Sequence, residues 1–196
     1  MKRLDPNRPR RWESILRRLP AGVPLSGVEV GVWRGENAAH LLEARPMLTL
    51  CLVDPWEAPE KGSSYERSPD RIAKQGQAYF DECYLETLRA VEPWKDRAFI
   101  YRISSEEAAT IARQELARPT TPAVAYDFVF IDADHSYEGV SRDIARWLGN
   151  VRPGGWIGGH DVDHKRYPGV RKAVEEAFGD AFETDRDCTW FHRVPA

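Results

Sequence analysis

Sulfur is scarce in this chain: 196 residues hold three cysteines, Cys51, Cys83 and Cys188, and two methionines. An odd, widely spaced set with no C-x-x-C pair excludes a disulfide scaffold or a zinc knuckle and fits a reducing cytosol. No apolar run approaches the roughly 20 residues that cross a bilayer. The basic start is followed by Trp12-Glu13-Ser14 rather than by the apolar core of a signal peptide. The expected setting is therefore cytoplasmic, with no membrane partner. Excess positive charge is missing too: 28 Lys and Arg against 31 Asp and Glu leave a net charge of −3. Without a basic field to hold phosphates by counterion release, nucleic acid is excluded as the expected partner. There is no internal repeat, low-complexity tract or linker.

What remains is an ordinary globular composition, 42% apolar, 30% charged and 11% aromatic, with enough chain for one core and too little for a second catalytic domain. Residues 1–196 form a single expected domain. Trp12, Ile15, Leu16 and Leu19 recur at i, i+3, i+4 and i+7. This predicts an amphipathic helix within residues 1–22, with Arg3, Arg8, Arg10, Arg11, Arg17 and Arg18 on its wet side. Strands are predicted over residues 28–32, 48–53, 98–103, 127–132, 156–159 and 189–194. Helices are predicted over 37–43, 106–116, 139–148 and 170–178. Such alternation defines an α/β fold, a doubly wound, mostly parallel sheet with helices on both faces and ligands beyond the carboxyl ends of its strands. Residues 57–95 are too long for a simple crossover and form a lid-like insertion after strand two, with a helical pattern over 70–92. Its aromatic residues Tyr65, Tyr79, Phe80 and Tyr84 either cover a substrate or pack one extra helix.

Val28-Glu29-Val30-Gly31-Val32-Trp33-Arg34-Gly35 puts two glycines in the first strand-to-helix turn, where missing side chains let backbone approach a ligand. The spacing is not G-x-G-x-x-G, which disfavours NAD and FAD. Glu29 lies inside the strand, an odd place for a carboxylate unless it anchors the turn's amides or a cationic ligand group. Asp54 ends the second strand, where an acid can accept hydrogen bonds from both hydroxyls of a ribose or simply serve the turn before Pro55. Ser104 and Ser105 either reach an adenine edge or cap the next helix, with Glu107 as the capping-box partner of Ser104.

The densest chemistry follows strands four and five: Asp132-Ala133-Asp134-His135-Ser136-Tyr137 and His160-Asp161-Val162-Asp163-His164. Neighbouring parallel strands bring both segments to one rim, gathering three of the five histidines with four aspartates where such sheets bind ligands. Asp132 and Asp161 suit Mg²⁺, which prefers oxygen ligands. A zinc pair from His160 and His164 converges only on a helix, and the surrounding glycines and Pro168 point to a loop. Without a metal, His135 is either a general base or a turn histidine holding the start of the next helix.

Together these residues resemble class I S-adenosylmethionine-dependent methyltransferases, and most closely the small O-methyltransferase-like group called methyltransferase domain family 24. The resemblance spans residues 27–178. It is carried by the glycine turn above, by Val53-Asp54-Pro55-Trp56, by the run from Tyr126 through Asp132 to Tyr137, and by Pro153-Gly154-Gly155-Trp156-Ile157-Gly158-Gly159-His160-Asp161. It implies a Rossmann-like sheet of seven strands, the last antiparallel and inserted, with residues 182–194 as a closing hairpin. It implies that Glu29, Gly31, Gly35, Asp54, Trp56, Ser104, Ser105 and Asp132 surround S-adenosylmethionine. In metal-dependent relatives the aspartates matching Asp132 and Asp161 hold Mg²⁺, with His160 as the third candidate ligand here. The expected reaction is methyl transfer to a hydroxyl of a small molecule, with Asp132 and His135 as the catalytic pair. Two rivals remain at this stage: a cofactor-binding pseudoenzyme, and a metal-dependent hydrolase or hydroxylase using the Asp/His cluster directly.

Overall fold

Seven strands make one sheet in the computed structural model, which covers residues 10–116 and 125–196: β1 (Leu25–Val30), β2 (Leu48–Val53), β3 (Ala98–Tyr101), β4 (Tyr126–Ile131), β5 (Val151–Gly159), β6 (Glu183–Asp185) and β7 (Thr189–Arg193). Their order is β3-β2-β1-β4-β5-β7-β6. β3 through β5 run parallel, and β7 lies antiparallel between β5 and β6. The strand order reverses between β1 and β4, which is where an open α/β sheet leaves a crevice beyond its carboxyl ends.

Side-chain alternation splits the core into two layers. Val28, Val30, Val129, Ile131 and Ile157 pack beneath α5 (Ser105–Leu116), α6 (Tyr137–Trp147) and α7 (Pro168–Phe178). Leu48, Leu50, Leu52, Phe128 and Phe130 pack beneath α1 (Arg11–Leu16), α2 (Glu36–Ala44) and α4 (Gln77–Val91). Both faces are covered, so the parallel strands are mostly apolar, with Glu29 of β1 a buried exception.

β2 has the expected bounds, and the other strands differ for local reasons. β1 stops at Val30 because Gly31 takes φ +86. β5 begins at Val151, well before Trp156: Arg152 donates to Asp127 at 2.6 Å, and a register shift between Tyr126 and Phe128 absorbs Pro153 and Gly154. The helix expected from residue 70 is broken into a 3₁₀ turn at Ile72–Lys74 and α4, and a short α3 (Ser64–Arg67) precedes it. Asp70 is held back by its own contacts, accepting from the Ile72 amide at 2.9 Å and facing His135.

The wet face expected for the N-terminal arginines is corrected. Arg18 is 10% exposed, with ion pairs to Glu183 at 2.6 Å and Asp185 at 2.7 Å, and its guanidinium lies 3.7 Å from the centroid of the Phe191 ring. Arg17 donates to Asp185 at 2.7 Å. The acidic β6 strand draws these cations inward, and Arg11 pairs with Asp132. Arg3 and Arg8 lie outside the described residues. No helix among the described residues is long and apolar enough to cross a membrane.

Candidate active site

The turn after β1 is built around Asp54. Its Oδ2 accepts the Val32 and Trp33 amides at 2.9 and 3.0 Å, and its Oδ1 accepts the Trp56 amide at 2.7 Å. Burial pushes this carboxyl up, and the three amides and Arg102 offset part of that. Gly31 is needed for two reasons: its φ of +86, and a Cβ there would sit 2.3 Å from the Asp132 carbonyl oxygen. The close approach expected from a ligand at Gly31 is thus made by the β4 turn itself. Gly35, at φ +75, ends the turn as the N-cap of α2. Trp33 is 43% exposed and donates its indole N–H to Tyr79 at 2.9 Å.

Glu29 points beneath this turn and is 2% exposed. Asn37 donates to Oε1 at 3.1 Å, whereas Oε2 has no partner. Burial pushes the Glu29 carboxyl up to about 7, offset in part by Asn37 and by the charge of Arg11. A buried acid with one empty oxygen is suited to a cationic guest.

Beyond β4 and β5 the expected cluster forms. Asp132 leaves β4 with its amide on the Val30 carbonyl, and His160 leaves β5 with its amide on Ile131. His135 lies between the two segments, its Nε2 3.3 Å from Asp132 Oδ1 and 3.2 Å from Asp161 Oδ2. His160 Nδ1 sits 3.4 Å from Asp132 and 3.3 Å from Asp161. Asp161 takes φ +65, a left-handed conformation that aspartate tolerates better than most residues. Burial raises the Asp161 carboxyl, but the hydrogen bond and charge of His160 and the charges of His135 and His164 hold it below its usual range. Ligand atoms of Asp132, His135 and Asp161 lie within 4.8 Å of one another, close enough to share a cation.

Residues that sequence reasoning missed complete the cluster. Asp70, from the insertion, places Oδ2 3.3 Å from His135 Nδ1. Asp187, in the turn between β6 and β7, lies 3.8 Å from His160 Nε2. Arg11 reaches Asp132 from α1, and Tyr167 stacks on His135 with ring centroids 4.8 Å apart. No motif marks any of them: Arg11, Asp70 and Asp187 arrive from distant segments, and Tyr167 follows His164 without a recognisable spacing. Beside His135 opens a cleft of about 280 Å³, between residues 64–69 of the insertion, the first turn of α6 and residues 166–169.

Other expected site residues are engaged elsewhere. Trp56 is fully buried against Tyr84, its indole N–H on the Trp33 carbonyl at 2.8 Å. Ser104 forms the capping box with Glu107, donating from its hydroxyl at 2.7 Å and accepting the Glu107 amide at 3.2 Å. Ser105 joins α5 to α6, donating to Asp143 at 2.5 Å and accepting from the Trp147 indole at 2.9 Å. His164 stacks on Tyr167 in a loop, not on a helix with His160.

A mostly parallel seven-stranded sheet with an antiparallel β7 inserted, a glycine turn after β1 and an acid closing β2 defines a class I methyltransferase fold. The chain belongs to the methyltransferase domain family, whose model matches residues 28–162. Among solved structures, CalS11, titled a calicheamicin methyltransferase, is similar at TM-score 0.62 and 16% identity over 93% of this chain and 76% of that one. The O-methyltransferase NovP is similar at TM-score 0.61 and 18% identity, over 94% and 76%. TomG from Streptomyces achromogenes, an O-methyltransferase solved with S-adenosylmethionine, gives 0.56 and 18%, over 93% and 77%. No curated protein sequence matches the chain.

Proposed function

We propose that the chain transfers the methyl group of S-adenosylmethionine to a hydroxyl of a small molecule, with His135 as general base. The observation that carries this reading is the placement of His135: its ring lines the cleft, with Nε2 3.3 Å from Asp132 and 3.2 Å from Asp161 and Nδ1 3.3 Å from Asp70. A neutral His135 carries its one ring proton toward one of these carboxylates, and its other ring nitrogen takes the acceptor's proton. Asp70, Asp132 and Asp161 then stabilise the imidazolium that forms.

When bound, S-adenosylmethionine supplies the electrophilic methyl. The chain's own residues bind and orient it: Glu29 Oε2 offers an empty acceptor to the ammonium of its methionine part, beside the Gly31–Gly35 turn. Asp54, with three amides on about four lone-pair sites, keeps one acceptor for a ribose hydroxyl. Holding two reactants in line accounts for most of the acceleration expected of such a site. Two carboxylates and an imidazole also fit a divalent cation. Asp132 and Asp161, with His135 or His160, would hold it, and it would lower the pKa of a bound hydroxyl. The oxygen acceptor is supported by relatives of the same fold, including CalS11, named a TDP-rhamnose 3′-O-methyltransferase, and NovP.

Calorimetric titration of S-adenosylmethionine and S-adenosylhomocysteine, with Mg²⁺ and with EDTA, tests the reading. Micromolar binding of both in EDTA is expected. No binding of either in any condition removes the proposal, and binding confined to Mg²⁺ shifts the base's role to the metal.

A further inference from the structure

We infer that the methyl acceptor carries an oxyanion, a phosphate or a carboxylate, which the cleft beside His135 reads through Arg67 and Arg166. This rests on the methyl-transfer reading above, which makes the cleft the acceptor's seat.

Arg67 and Arg166 are both exposed and line the cleft, one on the insertion and one on the segment after β5. Among the described residues neither guanidinium has a carboxylate partner: Arg67 donates to the Gly62 carbonyl and Arg166 lies against Tyr167. Among the described residues, Glu138 is the one acid lining the cleft. The acids beneath it are occupied, Asp70 by His135 and the Ile72 amide, and Asp134 by Ser136. The backbone adds to the positive field. α6 and α7, each of 11 residues, begin at this cleft, and a Cβ on Gly169 would lie 2.8 Å from the Tyr137 amide nitrogen, so their first turns abut. α7 has no side-chain cap. Two forked guanidinium donors with two adjacent helix starts match the geometry of a tetrahedral or planar oxyanion. His135 and both arginines line the same cleft, so one acceptor seated there meets the base and the guanidinium groups together.

Amide NMR at low salt, on the protein with and without S-adenosylhomocysteine, supplies the test. Inorganic phosphate and acetate are titrated separately, against chloride. Saturable shifts at the Tyr137 and Gly169 amides are expected, tighter for the anion class that the acceptor bears. Affinity should fall at least about tenfold in the Arg67→Gln/Arg166→Gln double variant, whose affinity for S-adenosylhomocysteine stays unchanged and reports an intact fold. Shifts that are linear and equal to those with chloride overturn the inference, as do saturable shifts that persist in the double variant. Phosphate binding without S-adenosylhomocysteine binding removes the methyl-transfer reading and keeps an anion site. The reverse pattern removes only this inference.

Discussion

His135, ringed by carboxylates, and Glu29, buried with its Oε2 unpaired, each make a separable prediction. Replacing His135 with Ala should lower methyl transfer by about 10²–10⁴-fold, the range of a lost general base, with unchanged affinity for S-adenosylhomocysteine; loss of that affinity instead would make the residue structural. Glu29 is governed by burial. Its carboxyl rises from 4.5 to about 7 in the folded chain, so its stabilising contribution is complete below pH 4.5 and is lost as pH rises through 7. Glu29→Gln should therefore stabilise the ligand-free protein at pH 8, by at most on the order of 3 kcal/mol, change nothing at pH 4, and weaken donor binding. Asp143 is the control. Burial raises it to about 6, so Asp143→Asn should give the same pH sign in thermal unfolding, yet leave donor affinity alone, because Asp143 serves Ser105 between two helices.

At the scale of elements, two attachments decide whether the site is assembled. The β6–β7 hairpin is gripped by the turn after α1, chiefly through Arg18, whose paired and stacked guanidinium is mostly buried. Arg18→Ala should destabilise the fold by about 1–3 kcal/mol, more than a surface ion pair is worth, in chemical denaturation; Arg17→Ala, at 44% side-chain exposure, should do much less. Ser104→Ala should cost about 1 kcal/mol through the lost cap, and a matching fall in donor affinity would give Ser104 a second role at adenine. The elements themselves were legible because apolar alternation and periodicity reflect burial directly, as at Leu48, Leu50 and Leu52. The broken helix at Asp70 was not, since a tertiary contact with His135 overrides local propensity there. Likewise the arginines that follow α1 look solvated by spacing alone, because the acids that capture Arg17 and Arg18 stand far away in the chain at Glu183 and Asp185.

Across the whole molecule the candidate site joins segments from both ends of the chain. Asp132, His135, His160 and Asp161 could be read together from sequence because parallel strands must deliver adjacent carboxyl ends to one rim. Arg11, Asp70 and Asp187 could not, as nothing in a linear pattern says where a helix, an insertion and a hairpin turn will converge. Arg11 matters most, for it already neutralises Asp132, the carboxylate that a divalent cation would need. Two cations cannot both sit close to one carboxylate without repelling each other. A metal entering beside Asp132 must displace the Arg11 guanidinium and loosen α1, which remains tied at its other end to β6. Arg11→Met should accordingly tighten Mn²⁺ binding, measured by calorimetry or electron paramagnetic resonance, by about tenfold, the scale of one partly exposed charge pair. In the same variant the amides of α1 should exchange hydrogen faster, because the ion pair at the start of the helix is gone. If Mn²⁺ affinity were the same with and without Arg11, the metal and the arginine would use different faces of Asp132, and α1 would be a fixed wall of the site rather than a competitor for its charge.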